Sequence, residues 1–249
     1  MLQQTQTSRV VEPWRRFLEA FPTPDACAKA PLAAVLRQWA GLGYHRRAKA
    51  LHDSARLICE RHDGRVPSEV AALRSLPGVG EYTANAVASF AFGAPVAVLD
   101  TNVGRVLARA VENRTLRPKE ARDVATSLLP RESAPFNQSM LDLGARFCRS
   151  SPRCTECPLQ RVCRWRVEGG EDPAPQSAGV SRRQSAFEGS TRQLRGRLLA
   201  ALRDGDMTRR EFHAWASGVD DERMDGVVAD LIVDGLVEST KGRVSLVKQ

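Results

Sequence analysis

No stretch of the sequence approaches the ~20 consecutive apolar residues that span a bilayer, which excludes a membrane-spanning helix and a membrane partner. The opening segment, Met1 to Val11, is polar and lacks the apolar core of a signal peptide, so a cytoplasmic location is expected. Internal repeats are absent. Sustained period-2 alternation is absent before Arg166, which argues against a β domain there. Lysine is scarce: the five positions 29, 49, 119, 241 and 248 supply few of the 37 cations. Cysteine is scarce too, with six residues, four of them between 148 and 163. In a reducing compartment such clustering argues for metal ligation over disulfides.

What is present fits an ordinary globular chain. The 249 residues give room for one large domain or two small ones, and 42% hydrophobic content supplies a core. A net charge of +8 fits a polyanionic partner, although scattered surface charge accounts for it equally well.

Along the chain, residues 1–166 read as helices joined by short turns. Val10, Val11, Trp14, Phe17 and Leu18 recur at helical spacing, with Pro13 tolerable only near the first turn. Phe21-Pro22-Thr23-Pro24 breaks that helix. Leu32, Val35, Leu36 and Trp39 share a face of the next, which Gly41-Leu42-Gly43 ends, and a further helix runs from Arg46 to Arg61. Residues 167–190, with Gly169-Gly170, Pro173 and Pro175, read as a linker or extended arm. Residues 191–249 predict three helices and a hairpin: a winged-helix-like α+β domain that binds nucleic acid or serves as a docking or structural unit. Thr208 and Glu211 have capping-box spacing there.

Three local patterns carry chemistry. In the first, Leu76-Pro77-Gly78-Val79-Gly80 joins two helical segments, 68–75 and 81–92. Its glycines let the backbone approach a ligand, and the following helix start offers N–H groups to phosphate. This is a helix-hairpin-helix arrangement for gripping a DNA backbone without reading sequence; an ordinary glycine turn is the alternative. In the second, the apolar run Val96 to Leu99 delivers Asp100 to a helix start ahead of Thr101-Asn102-Val103. Such an Asp is either a helix cap or a carboxylate that stabilises positive charge developing on a sugar. In the third, Cys148, Cys154, Cys157 and Cys163 are spaced C-x5-C-x2-C-x5-C, which suits zinc or a 4Fe–4S cluster. Arg146, Arg149, Arg153, Arg161, Arg164 and Arg166 surround them, a phosphate-binding surface or a solvated face. Cys27 and Cys59 lie in apolar helical contexts and read as core.

These patterns, in this order, resemble the helix-hairpin-helix DNA glycosylases that carry an iron–sulfur cluster, specifically the MutY-type adenine DNA glycosylases. The resemblance covers residues 1–166. It is carried by Met1-Leu2-Gln3-Gln4-Thr5-Gln6, Gly41-Leu42-Gly43-Tyr44, Tyr82-Thr83-Ala84, Leu99-Asp100-Thr101-Asn102-Val103 and Met140-Leu141-Asp142-Leu143-Gly144. It implies a monomeric base-excision repair enzyme, associated with the nucleoid, that flips adenine mispaired with 8-oxoguanine or guanine and hydrolyses its N-glycosidic bond. By the motif match, Gln4, Thr5 and Tyr44 meet the base stack, and Gly78, Val79 and Gly80 hold the backbone. Asp100 stabilises the oxocarbenium-like state, Asn102 and Tyr82 shape the sugar pocket, and the four cysteines bind a 4Fe–4S cluster with a structural role. Endonuclease III has a catalytic Lys where this chain has Tyr82, and no Lys falls in the hairpin, so a Schiff-base lyase is not expected.

Three departures qualify the resemblance. The family's catalytic Glu, which protonates the leaving adenine, precedes the segment that begins here at Met1. A start placed too far downstream is the expected cause, and a truncated, non-catalytic DNA-binding relative is the rival. Five residues, not the family's usual six, separate the first two cysteines. Residues 191–249 show no Nudix-like pattern, which leaves open an iron–sulfur winged-helix regulator as a third class.

Overall fold

The computed structural model describes residues 1–3, 5–177, 186–216 and 218–247. Its helices are α1 (Thr7–Ala20), α2 (Pro24–Lys29), α3 (Leu32–Gln38), α4 (Arg46–Arg61), α5 (Val70–Arg74), α6 (Glu81–Phe92), α7 (Thr101–Val106), α8 (Pro118–Ser127), α9 (Ser133–Arg146), α10 (Arg164–Glu168), α11 (Thr191–Ala201), α12 (Arg209–Trp215) and α13 (Asp221–Val233). The strands are β1 (Met207–Thr208), β2 (Val237–Thr240) and β3 (Arg243–Leu246). The fold is thus mainly helical, as expected, with a small sheet near the C-terminus.

The chain packs into two compact units: residues 1–67, 76–78 and 184–249 in the first, residues 68–75 and 79–183 in the second. This division differs from the boundaries at 166 and 191 that the sequence offers.

In the first unit, one hydrophobic core runs from Phe17, Val35, Leu36 and Trp39 through Leu194, Leu198, Phe212, Met224 and Leu231. The N-terminal helices and the C-terminal residues therefore share a single interior. Asp234, its side chain only 4% exposed, forms ion pairs with Arg46 of α4 and Arg195 of α11 and so ties both ends of the sequence across that core. The C-terminal elements follow the expected winged-helix pattern. Thr208 caps α12 in a capping box with Glu211. Lys241 and Gly242, both at positive φ, make the turn between β2 and β3. The sheet order β1-β3-β2 adds a two-residue strand that periodicity did not reveal. Pro13 lies in the second turn of α1, deeper than expected, and α1 continues past it.

His45 precedes α4 and is half-buried. Burial, assisted by the charges of Arg203, Arg195 and Arg47, lowers its pKa to about 4. In the unfolded chain an unperturbed histidine takes up its proton near pH 6.5. Between those values the unfolded state binds more protons, so stability falls as the pH drops from about 6.5 to about 4. The full loss amounts to about 3 kcal/mol. A His45→Gln variant lacks this term: urea melts at pH 7 and pH 4.5 are expected to show it gaining stability relative to the parent as the pH falls.

The second unit has its own core of Val103, Leu107, Ala108, Leu116, Ala121, Ala125 and Ala174. The run Val96 to Leu99 is extended but pairs with no strand among the described residues. Its backbone is satisfied by side chains: Asn137 accepts from Val98 N (3.1 Å) and donates to Val96 O (2.9 Å), and Asn85 donates to Ala97 O (2.9 Å). Part of the stretch expected as linker also belongs here. Ala174 is buried, and Ser177 Oγ accepts from Leu116 N at 3.0 Å and donates to Pro173 O at 2.7 Å.

Candidate functional site

The hairpin turn is pinned at its glycines. Gly78 has φ +72°, and a Cβ there would stand 2.7 Å from Ala50 Cβ, so only glycine lets the turn lie against α4. Gln3 donates to Gly78 O (3.3 Å) and Ser54 Oγ to Pro77 O (2.9 Å). Gly78 and Gly80 are exposed, and Val79 is half-buried. Gly80 occupies the cap position of α6 and brings no side chain to it.

Tyr44 stands in the first unit at the end of the Gly41-Leu42-Gly43 turn. It is 39% exposed and adopts φ +47°, a left-handed conformation that a tyrosine takes up only when its surroundings impose it. Arg47 does so. Its guanidinium lies 5.4 Å from the ring centroids of both Trp39 and Tyr44. It donates to Leu42 O (3.2 Å), Met1 O (3.0 Å), Thr5 Oγ1 (3.0 Å) and Gln3 O. One half-buried cation thus fastens the Tyr44 turn to the N-terminal segment that carries Gln3 and Thr5. Gln4 lies outside the described residues.

In the second unit, the head of α7 organises a carboxylate. Asp100 is its N-cap, with Oδ1 accepting from Val103 N at 2.8 Å, so the capping alternative holds. The other oxygen accepts from Asn102 Nδ2 at 2.7 Å, which fixes the orientation of the group. Asn102 Oδ1 accepts from Arg105 Nη2 (2.7 Å), and Arg105 reaches Gly144 O (3.1 Å) and Cys148 O (2.6 Å). Burial, and after it the Asp100 charge, raises the Tyr82 pKa, which keeps that phenol protonated. Asp100 and Asn102 are thus hydrogen-bonded to each other at the head of α7. Close packing of α9 on α7 supports them: a Cβ on Gly144 would meet Asn102 O at 2.5 Å.

Cys148, Cys154, Cys157 and Cys163 all line one pocket, together with Leu159, Trp165 and Arg109. Ligands at about 2.3 Å from a single tetrahedral zinc lie less than 4 Å apart. No three His, Cys, Asp or Glu side chains among the described residues converge in the manner of a single-ion site. Burial raises the Cys148 pKa, opposed by the charges of Arg109 and Arg105.

Arg109, 1% exposed, braces the loop. It pairs with Asp172 through two bonds (2.8 and 2.6 Å) and donates to Arg149 O (2.6 Å), Ser150 O (3.3 Å) and Cys148 Sγ (3.5 Å). Sequence reading missed Arg47, Arg105 and Arg109, since an arginine within a helical pattern carries no mark of burial.

Residues 1–131 match the family described as HhH-GPD superfamily base excision DNA repair protein. The chain is 46% identical over 255 residues to an adenine DNA glycosylase of Mycolicibacterium smegmatis, covering 99% of this chain and 84% of that one. It is 40% identical to the adenine DNA glycosylase of Homo sapiens, covering 73% of this chain and 35% of that one. Among solved structures, a thermostable thymine-DNA glycosylase aligns with TM-score 0.61 and 28% identity over 67% of this chain and 80% of that chain. A trapped endonuclease III–DNA covalent intermediate aligns with TM-score 0.59 and 29% identity over 66% and 79%.

Proposed function

The chain belongs to the HhH-GPD superfamily of base excision DNA repair proteins and, within it, to the adenine DNA glycosylases, and from that premise we propose that it hydrolyses the N-glycosidic bond of adenine mispaired with 8-oxoguanine or guanine and leaves the strand unbroken. The observation that carries this reading is the Asp100 carboxylate, aimed by Val103 N and Asn102 Nδ2 from the head of α7. A fixed carboxylate stabilises the positive charge that grows on the deoxyribose as adenine departs. Tyr82 and Asn102 shape the sugar site, and Tyr82 cannot form the Schiff base that a lyase needs. Tyr44, with Gln4 and Thr5, wedges the base stack open. The turn Gly78-Val79-Gly80 holds the backbone through main-chain N–H groups. The protein acts as a monomer on duplex DNA. The glycosylase motifs lie within residues 1–166, and residues 191–249, which share the first unit's core with the N-terminal helices, form a winged-helix-like part of that unit.

The donor set suits a 4Fe–4S cluster held by Cys148, Cys154, Cys157 and Cys163. When bound, the cluster supplies cross-linking of the loop rather than hydrolysis, and the arginines around the cysteines then offer an ordered surface to phosphate. Iron and sulfide analysis of anaerobically purified protein is expected to give four of each per chain, following the cluster stoichiometry.

The deciding experiment is adenine release from a duplex with adenine opposite 8-oxoguanine, run on this chain and on a form extended to the next in-frame upstream start. Release with an intact strand, alkali cleaving only afterwards, supports the reading. Lesion binding without release by either form points instead to the non-catalytic relative, and strand scission at neutral pH to a lyase.

Gly144 supplies a second check. In Gly144→Ala the added methyl meets the Asn102 backbone at 2.5–2.6 Å, so α7 and α9 must separate at the residue that orients Asp100. Stability is expected to fall by about 1–3 kcal/mol. Adenine release is expected to slow about 100-fold, because small displacements of an aligned group are costly. Single-turnover rates beside thermal melts separate the two effects.

A further inference from the structure

The C-terminal part of the first unit carries charge of two kinds on different elements. Helix α13 bears Asp221, Glu222, Asp225 and Asp230 against Arg223 alone. A helix so acidic is repelled by phosphates, so the groove-entering role of a winged-helix recognition helix does not suit it. The segment leading into α11 is different. Arg192 Nη1 donates to Tyr44 Oη at 3.2 Å, and the same guanidinium lies 5.9 Å from the ring centroid of Phe187, which is 59% exposed. This arrangement is held in place. Ser190 caps α11 by accepting from Gln193 N, and Arg223 donates to Gly189 O. Leu194 and Leu198 enter the same core as Trp39 and Leu42.

We propose that Phe187 and Arg192 form one DNA-contacting surface with Tyr44, so that the C-terminal residues grip the duplex backbone where the tyrosine enters the base stack. The proposal rests on the reading of Tyr44 as a wedge. A wedge that opens a base step brings the flanking phosphates within reach of whatever its tip touches, and here the tip touches a guanidinium. On insertion, Arg192 exchanges the phenol for a phosphate oxygen, to which it can donate two parallel bonds. The exposed Phe187 ring offers a stacking face beside it. Aromatic and cationic groups alternating on one surface are the usual platform for distorted or unpaired nucleic acid.

The test measures affinity for a duplex holding adenine opposite 8-oxoguanine at several salt concentrations. The variants are Arg192→Ala, Arg192→Lys, Phe187→Ala and, as a charge control on α12, Arg210→Ala, each checked for an unchanged melting temperature. Arg192→Ala is expected to weaken binding about 10-fold and to reduce the salt slope by about one. Arg192→Lys restores the slope but not the full affinity. Phe187→Ala weakens binding about 5-fold with the slope unchanged, and Arg210→Ala leaves both as they were. Unchanged or tighter binding by Arg192→Ala overturns the proposal, as does an equal loss in Arg210→Ala. Tyr44→Ala is read separately by the fluorescence of 2-aminopurine in the adenine position. Normal flipping there, with the Arg192 slope still altered, refutes the wedge and keeps the phosphate contact.

Discussion

Replacing Asp100 with Asn is expected to lower the single-turnover rate of adenine release about 1,000-fold or more, with the fold and lesion affinity nearly unchanged. The substitution separates two roles of one side chain. As the N-cap of α7, Asp100 accepts from Val103 N at 2.8 Å, and Asn caps a helix as well as Asp does. Helix stability is therefore preserved. What is lost is the negative charge, which in a site with little water is worth far more to a developing cation than it is in bulk solvent. Asp100→Ala removes both roles and is expected to cost about 1 kcal/mol of stability in addition. Quenched-flow rates and urea melts on the two variants measure the charge and the cap independently. A fast Asp100→Asn enzyme assigns the carboxylate to capping alone and moves the chemistry elsewhere.

Arg109→Ala is expected to destabilise the second unit by about 3–5 kcal/mol and, with the cysteines holding the proposed cluster, to lower the iron content of the purified protein. Three kinds of partner lose their cation at once. Asp172 keeps a carboxylate that is 28% exposed with nothing to neutralise it. The carbonyls of Arg149 and Ser150, which turn the chain just after Cys148, lose their donors. The Cys148 sulfur loses its hydrogen bond. An unpaired charge and unsatisfied carbonyls in a confined space account for the size of the effect. Lysine at 109 restores charge but not the planar fork that meets Asp172 at two points, so it is expected to recover only part of the loss. Iron content and proteolytic resistance of residues 148–177 report the outcome directly.

Much of the fold was legible because it is local. The face of Leu32, Val35, Leu36 and Trp39 is buried throughout, and the capping box at Thr208 and the turn at Lys241-Gly242 form where the sequence placed them. Of the candidate site, the Asp100 cap at the head of α7 followed from the local pattern. What escaped is non-local. Asp172 lies 63 residues from Arg109 and within a Gly- and Pro-containing stretch that reads as a linker. Residues 172–177 pack because Asp172, Ala174 and Ser177 each find a specific partner, not because they show a period. Arg47 sits among other arginines, and only the tertiary fold decides which of them is enclosed between two rings. Likewise, nothing in the pattern of α11 announces that its leucines share an interior with residues near the other end of the chain.

That shared interior sets an order of events during synthesis. Residues 68–75 and 79–183 emerge from the ribosome as a nearly contiguous block whose partners are all present, so the second unit can fold while the chain is still growing. The helices made first must wait. The core that holds Trp39 and Val35 is complete only once Leu231 and Leu246 have been translated. Contacts this distant in sequence close slowly and leave apolar surface uncovered in the meantime. The segment that holds Tyr44 and Arg47, though made before the second unit, is thus among the last to reach its final form.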